Sequence, residues 1–269
     1  MWESIIHRWL RVPYTLYVRT NRKGKKPRAT VLFLHGIGNT GAAWDDVIAK
    51  LPSDIRIISI DLLGFGKSPK PKHLVYSART QARAVISTLI TQAIAGRLII
   101  VGHSLGALVA VEVAKRYPMI IRSLILCSPP FYTSEDDKAP LHRERRLREF
   151  YTLVKTHPEQ FVKISALAMK YNLSSKSFSV TIDDVDSYIE TLESSILNQT
   201  ALRDAERLKK PMTLIHGRFD PLVIKSNMTK LVEYNNQAEL RVVSSGHEVR
   251  GRYVSAVVKA INDALQPPA

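Results

Sequence analysis

The sequence predicts an α/β protein with a mostly parallel, doubly wound sheet and an inserted block of helices. Three observations predict this fold class. Short apolar runs recur along the chain, helical stretches lie between them, and one long segment has helical periodicity without a strand pattern. Continuous apolar runs bounded by Gly, Pro or Asp are typical of strands buried on both faces. Their alternation with helices indicates an open sheet with right-handed crossovers.

The strands are predicted from composition and length. The first segment is rich in β-branched and aromatic residues, the next ones are apolar runs, and the last is weaker. In chain order the predicted strands are residues 12–18, 29–34, 55–60, 97–101, 122–126, 212–215 and 239–243.

Helices are predicted between these strands. Residues 77–93 repeat apolar side chains at helical spacing. Residues 105–117 stop at Pro118, which cannot continue a helix. Residues 253–265 form the last predicted helix, near the end of the chain.

The segment 131–207 breaks the alternation and is predicted to be helical throughout. Pro158 can open one helix, since proline suits the first helical position. Thr181 and Asp184 have the spacing of a capping box before an amphipathic stripe that reaches Ile196. The expected organisation is therefore a core of residues 1–130 and 208–269, interrupted by a helical insertion of residues 131–207.

Composition excludes several classes of protein. The chain has 269 residues, of which 45% are hydrophobic and 23% charged, which suits a soluble globular domain with a sizeable core. The single cysteine, Cys127, excludes an intramolecular disulfide and is interpreted as a buried packing residue. No apolar run is long enough to span a bilayer, and Glu3, His7 and Arg8 interrupt the N-terminus. The expected location is therefore the cytoplasm.

The net charge of +15 is concentrated in basic patches at residues 1–28, 67–83 and 138–148. Such patches can attract nucleic acid or an anionic surface. However, residues 22–27 have the composition of a solvated turn and lack the aromatic side chains of a single-strand binding platform. A solvated surface is the preferred interpretation. Nucleic-acid binding is disfavoured, contact with an anionic surface stays open, and the sequence does not predict an oligomeric state.

The strongest chemical signal is a G-x-S-x-G pattern between a predicted strand and a predicted helix. Ser104 lies at its centre, flanked by Gly102 and Gly106. A serine on such a sharp turn holds its hydroxyl clear of the sheet, and glycines remove side chains that would collide there. Ser104 is therefore the candidate nucleophile.

A serine nucleophile needs a base and a group that orients the base. His247 follows the last predicted strand, and Asp220 follows the strand before it. The order Ser104, Asp220, His247 is the order in which strand-to-helix elbows of this kind place their triad. The three residues are the candidate catalytic set.

Simpler roles remain open for two of these residues. Asp220 precedes Pro221 and could be only a helix N-cap, a role that can coexist with catalysis. His247 could be a surface loop residue. Asp136 and Asp137 are the alternative acid site.

A second glycine-flanked turn predicts where an oxyanion would be held. Gly36 and Gly38 surround Ile37 directly after the strand 29–34. The backbone amides of Ile37 and Leu105 are the expected oxyanion donors. The glycines between Asp61 and Ser68 do not fit a nucleotide-binding motif.

Together these motifs resemble the α/β-hydrolase superfamily. The matching segments are HGIG at 35–38, DLLGFGKS at 61–68, GHSLGA at 102–107, HGRFDP at 216–221 and GHE at 246–248. The resemblance implies that Asp61 belongs to a structural turn and that the insertion 131–207 is a cap over the substrate pocket. Leu147, Phe150, Tyr151, Phe161 and Met169 of the cap could line an acyl site, although core packing is favoured for most of them. A serine in place of aspartate disfavours haloalkane dehalogenases and epoxide hydrolases.

The implied activity is hydrolysis of a small-molecule carboxylic ester through an acyl-enzyme, with no metal and no organic cofactor. Thioester hydrolysis and carbon–carbon bond hydrolysis on the same triad remain open. A receptor that keeps the triad but turns over slowly is the alternative from another functional class.

Overall fold

A single sheet forms the centre of the computed structural model, which describes residues 5–10, 12–24, 27–132, 142–170, 178 and 180–266. Within this part of the chain, the sheet has seven strands in the order β1-β3-β2-β4-β5-β6-β7. β1 is antiparallel to β3, and the other pairs are parallel. The strands are β1 (Val18–Arg22), β2 (Thr30–Leu34), β3 (Arg56–Ile60), β4 (Leu98–His103), β5 (Ile121–Cys127), β6 (Met212–Gly217) and β7 (Ala238–Val243).

Helices connect these strands. They are α1 (Asp45–Ile48), α2 (Ala78–Thr91), α3 (Leu105–Arg116), α4 (His142–Thr156), α5 (Pro158–Lys170), α6 (Ile182–Thr191), α7 (Ala201–Glu206), α8 (Lys225–Tyr234) and α9 (Arg252–Leu265). Short 3₁₀ helices span Gly41–Trp44 and Pro118–Ile120, and π-helical turns span Ile5–Trp9 and Leu192–Leu197. None of the described helices is both long and apolar enough to cross a membrane.

Both faces of the sheet are buried, which explains the continuous apolar runs. Every residue of β2 and of β4 is buried. One apolar cluster joins the sheet to α2 and α3, with Val85 and Leu108 among its members. A second cluster on the opposite face joins Phe33 to Trp44 and to Ile261 of α9. The predicted doubly wound α/β fold is confirmed.

The described residues between β5 and β6 form helices and no strand. The predicted capping box is present at the start of α6, where the Thr181 amide donates to Oδ2 of Asp184 at 3.0 Å. The division into a core and an insertion at residues 130 and 208 remains a prediction.

The first strand was predicted wrongly. Residues 12–17 are not in the sheet, and β1 begins only at Val18. The backbone amides of Leu16 and Tyr17 instead donate to the hydroxyls of Thr88 and Ser68. The segment therefore packs against the core through Tyr14 and Leu16, while the amides of Leu16 and Tyr17 are bound by side chains rather than by a neighbouring strand.

Candidate active site

Three loops meet at the carboxyl end of the parallel sheet, where ligand sites of such sheets usually form. Ser104 follows β4, Asp220 follows β6, and His247 follows β7. The topology brings these loops together because β4, β5, β6 and β7 are successive neighbours.

Ser104 lies on a sharp turn between β4 and α3. Its backbone has φ 50° and ψ −116°, a conformation that costs about 1–3 kcal/mol for a residue with a side chain. The Ser104 amide donates to the carbonyl of Cys127 at 2.9 Å, which ties the turn to the end of β5. The residue is only 6% exposed. Backbone strain held by the surrounding sheet is typical of functional sites.

The glycines beside Ser104 allow this close packing. A Cβ atom at Gly102 would lie 2.3 Å from the carbonyl oxygen of Gly106. A Cβ atom at Gly106 would lie 2.2 Å from the carbonyl oxygen of Leu34. Any side chain at either position would therefore push apart the backbones of the turn, the helix and β2.

Asp220 and His247 form a direct hydrogen bond. Nδ1 of His247 lies 2.8 Å from Oδ2 of Asp220, and because a carboxylate only accepts, Nδ1 carries the proton. Oδ1 of Asp220 accepts from the amides of Leu222 and Val223, so the residue also shapes its own loop. Asp220 is not a helix N-cap, since α8 begins only at Lys225.

This pair changes the pKa of both groups. Burial favours the protonated form of Asp220, but the hydrogen bond and charge of His247 outweigh it and lower the pKa of Asp220 to about 2. Burial also opposes the imidazolium form of His247, but the bond and charge of Asp220 raise the pKa of His247 above its ordinary value. Asp220 is therefore charged at neutral pH and favours a proton on His247.

Ser104 and His247 line the same cavity. Among the described residues, the structure records no hydrogen bond between the Ser104 hydroxyl and the His247 ring. Hydrogen bonds between a nucleophile and its base are often long in unliganded enzymes and tighten when substrate binds.

His103 holds the loop that carries His247. Nε2 of His103 donates to the backbone carbonyl of His247 at 2.9 Å, and the two rings lie 4.8 Å apart between centroids. Burial and the nearby His247 lower the pKa of His103 to about 4, so the ring is neutral at pH 7. This contact could not be predicted from the sequence, because it joins residues 144 positions apart.

The turn after β2 packs against Ser104. A Cβ atom at Gly36 would lie 3.3 Å from Cβ of Ser104, and Gly38 has φ 72°. Within the described residues, the amides of Ile37 and Leu105 donate to no other backbone group. Two amides next to Ser104 are thus available to a bound oxygen atom.

His35 fixes this turn. Its Nε2 accepts from the amide of Leu62 at 2.8 Å, and its Nδ1 donates to the carbonyl of Gly36 at 2.7 Å.

Asp61 accepts from the amides of Gly41 and Lys67. Asp61 therefore holds two loops together, as its expected structural role requires.

Ser128 is a site residue that sequence reasoning missed. It follows β5, is fully buried and has φ 46°. Its hydroxyl helps to lower the pKa of the Asp220 carboxyl and lies 3.1 Å from the hydroxyl of Tyr253. No sequence motif marks Ser128, because its partners are brought near only by the folded sheet.

The cavity beside Ser104 has a volume of about 500 Å³ and is mostly apolar. Its described lining is Gly36, Ile37, Asn39, His103, Ser104, Pro130, Tyr132, Phe150, Phe178, Tyr188, Leu192, Ile196, Pro221, Leu222, His247 and Glu248. Phe161, another predicted acyl-site residue, packs against Phe150 and Tyr188 behind the lining. The side chains of Leu147, Tyr151 and Met169 lie outside the described residues.

Other candidates from the sequence are resolved only in part. Asp136 and Asp137, the alternative acids, lie outside the described residues, as do parts of the basic patches. In the described part of the chain, no cluster of three or more His, Cys, Asp or Glu could hold a metal. Cys127 is fully buried, and burial raises the pKa of its thiol.

The fold and this strand–serine–helix turn define a class of protein. The model of the α/β-hydrolase fold family matches residues 29–249. The chain therefore belongs to the α/β-hydrolase family, as its motifs predicted.

Curated relatives match a shorter part of the chain. It is 34% identical over 120 residues to the probable lysophospholipase BODYGUARD 2 of Arabidopsis thaliana, covering 43% of this chain and 26% of that protein. An uncharacterized protein of Mycobacterium tuberculosis is 41% identical over 100 residues, covering 36% of this chain and 28% of the relative. The chain thus spans about a quarter of the length of these curated relatives.

Solved structures match almost the whole chain at low identity. An esterase from Exiguobacterium antarcticum has a TM-score of 0.73 and 18% identity, covering 94% of this chain and 96% of that one. An enol-lactonase from Burkholderia xenovorans has a TM-score of 0.69 and 20% identity, covering 93% and 95% of the two chains. At these identities the likeness establishes the fold alone.

Proposed function

We propose that this chain is a serine esterase that hydrolyses carboxylic esters through an acyl-enzyme. One observation carries the proposal: the 2.8 Å bond between His247 and Asp220 lies in a cavity shared with Ser104 on its strained turn. This arrangement supplies a nucleophile, a base and an orienting carboxylate in one place.

In the proposed first step, Ser104 Oγ attacks the ester carbonyl and His247 Nε2 accepts its proton. Nε2 is the nitrogen left for this purpose, because Nδ1 carries the proton bound by Asp220. The Asp220 carboxylate stabilises the imidazolium that forms. His247 then donates the proton to the leaving alcohol, which departs and leaves an acyl group on Ser104.

The negative charge on the carbonyl oxygen is proposed to be held by the amides of Ile37 and Leu105. Their position beside Ser104 and their lack of backbone partners in the described structure support this role. The N-terminus of α3 adds partial positive charge at the same point. Such fixed donors typically contribute a factor on the order of 10²–10³ each in rate.

In the second step, His247 removes a proton from water, and the hydroxide attacks the acyl carbon. The acid is released and Ser104 recovers its proton from His247. Neither step changes an oxidation state, and every proton removed by His247 is returned. The proposed residues and water are therefore sufficient for the whole catalytic cycle.

The helices between β5 and β6 are proposed to form a cap of residues 131–207 that shapes the substrate pocket. Tyr132, Phe150, Tyr188 and Leu192 of this segment line the cavity beside Ser104. The similar proteins are a probable lysophospholipase, an esterase and an enol-lactonase, names that all denote cleavage of ester or lactone bonds. These names support ester chemistry and leave the acyl chain and the alcohol to be measured.

The test is a series of initial rates on p-nitrophenyl esters from acetate to palmitate, with wild type beside Ser104→Ala. The matched control is Ser53→Ala, which removes a hydroxyl from an exposed residue. We expect hydrolysis by wild type and the control, and a loss on the order of 10⁶ in Ser104→Ala. The chain length with the highest kcat/KM then measures the usable depth of the cavity.

Two outcomes would overturn this proposal. Equal activity in Ser104→Ala would remove the nucleophile assignment. If the wild type hydrolyses none of these esters, the esterase assignment is wrong. Assays with acyl thioesters and ring-cleavage diketones would then test for a thioesterase or a carbon–carbon hydrolase. A protein inactive on all of these substrates would be a receptor without turnover.

A further inference from the structure

The candidate active site carries a charge opposite to that of the protein. The chain has a net charge of +15. Yet the described residues that line the cavity beside Ser104 include no Lys and no Arg, and Glu248 is their one carboxylate. His103, another lining residue, is neutral at pH 7 because burial lowers its pKa to about 4.

Glu248 lines the cavity and directly follows His247 in the chain. Its charge acts on His247 and His103, and on Tyr188, which α6 supplies to the same lining. These three side chains come from the loop after β7, the last residue of β4 and the proposed cap. Glu248 is therefore close to the proposed base and to the space that a substrate would fill.

The Glu248 carboxylate has no side-chain partner among the described residues. Within the part of the chain that the structure describes, no side chain makes a hydrogen bond or ion pair with it, and its backbone carbonyl accepts from Arg250. It is half-buried rather than fully solvated. A carboxylate in this position is available to a group on a bound substrate.

Local charge outweighs distant charge in such a cavity. At physiological ionic strength, exposed charges are screened over a Debye length of about 8 Å, so the basic surface contributes little at the reacting atoms. A carboxylate beside an apolar cavity is screened less, because the surrounding medium has a low effective dielectric constant. A second negative charge brought next to Glu248 also loses its hydration.

We propose that Glu248 sets the charge preference of this site, so that the substrates are esters which are neutral or carry a cationic group near the scissile bond. Esters with a carboxylate or phosphate close to that bond are rejected. This inference rests on the proposed esterase function, which it narrows to a class of substrate.

Matched pairs of esters test the proposal, because each pair differs in charge and hardly in size. On the acyl side, p-nitrophenyl hemisuccinate is compared with its neutral methyl ester. On the alcohol side, butyrylcholine is compared with 3,3-dimethylbutyl butyrate. We expect wild type to prefer the neutral ester in the first pair by roughly tenfold or more in kcat/KM, and the cation in the second.

Three variants assign the preference to Glu248. Glu248→Gln should reduce each preference on the order of tenfold, whereas Glu248→Asp should keep it, since the charge remains. Glu233→Gln is the control, because it removes the same charge from an exposed position on α8. The readout is the ratio of kcat/KM between the two esters of a pair. A variant that changes His247 alters kcat/KM for both esters alike, so this effect cancels in the ratio.

The results separate this inference from the proposed function. Hydrolysis of the neutral esters without charge preference, or a preference unchanged in Glu248→Gln, overturns the inference alone. No hydrolysis of any neutral ester by wild type overturns the proposed function and the inference with it. A variant that hydrolyses neutral esters is folded, so its kcat/KM ratios between paired esters can be compared with those of wild type.

Discussion

Nδ1 of His247 lies 2.8 Å from Oδ2 of Asp220, across 27 residues of sequence. This one contact fixes which imidazole nitrogen holds the proton and leaves Nε2 without a proton, in a residue that lines the same cavity as Ser104. It also joins the loops after β6 and β7, whose carboxyl ends lie side by side in the sheet. The chemistry proposed for Ser104 therefore depends on a carboxylate that does not itself touch the substrate.

The first prediction is that Asp220→Asn lowers kcat on p-nitrophenyl butyrate by about 10³–10⁴. An amide can donate to Nδ1, which would move the proton to Nε2 and remove the base that Ser104 needs. Asp183→Asn, an exposed change at the start of α6, is the control and should keep full activity. Circular dichroism checks that both variants fold, and a loss below threefold in folded Asp220→Asn would contradict the assignment.

The second prediction concerns pH. The pKa of His247 is raised above 6.5 by Asp220 despite burial, so the imidazolium persists to higher pH and blocks the base. We expect kcat/KM for a neutral ester to rise with pH, with its midpoint above 6.5. Replacing the nearby charge in Glu248→Gln should lower that midpoint, whereas exposed His73→Gln should leave it unchanged. A wild-type midpoint below 6.5 would show that burial, rather than Asp220, dominates the pKa of His247.

The third prediction is that Gly106→Ala destabilises the fold and Gly246→Ala does not. The new Cβ would lie 2.2 Å from the Leu34 carbonyl oxygen at position 106, but at 246 nothing lies within 4 Å. We expect the free energy of unfolding to fall by about 2–4 kcal/mol in Gly106→Ala and to change by less than about 1 kcal/mol in Gly246→Ala. Urea denaturation measures both, and equal stabilities would mean that the turn relaxes without cost.

The sequence was most informative where one physical constraint decides the structure. Strands β2 to β6 had to be apolar throughout because helices cover both faces, and their predicted positions agree with the sheet within one or two residues at most ends. The segment 12–18 had the same β-forming residues, but the amides of Leu16 and Tyr17 donate to Thr88 of α2 and to Ser68, which are distant in sequence. A helix here was considered only in the alternative that made Asp220 its N-cap, whereas α8 begins at Lys225 after Ile224, which provides no side-chain cap.

In the candidate site, too, residues under a local constraint could be predicted and residues that depend on long-range contacts could not. Ser104 and its glycines could be predicted because a sharp turn imposes local spacing on the sequence. Asp220 and His247 could be predicted from their order after two strands. The contacts of Ser128 and His103 could not be predicted, because they arise only when separate strands lie side by side.

The last prediction gives Ser128 a positioning role toward Asp220. Its hydroxyl helps to hold the Asp220 charge, and without it more negative charge faces His247. Ser128→Ala should therefore raise the pKa of His247, move the midpoint of the pH profile upward and lower kcat at pH 7 by roughly three- to tenfold. It should also lower the free energy of unfolding by about 1–2 kcal/mol through the lost buried hydrogen bond.

Ser123 supplies the control for this prediction, because it is also buried on β5 but its hydroxyl has no hydrogen-bond partner among the described residues. Ser123→Ala removes the same atom without breaking a bond, so its stability should be unchanged or higher and its pH profile unmoved. Measuring both variants by urea denaturation and by pH-dependent kcat/KM separates packing from electrostatics. If Ser128→Ala loses stability while its midpoint stays at the wild-type value, Ser128 supports the fold at this point and does not tune Asp220.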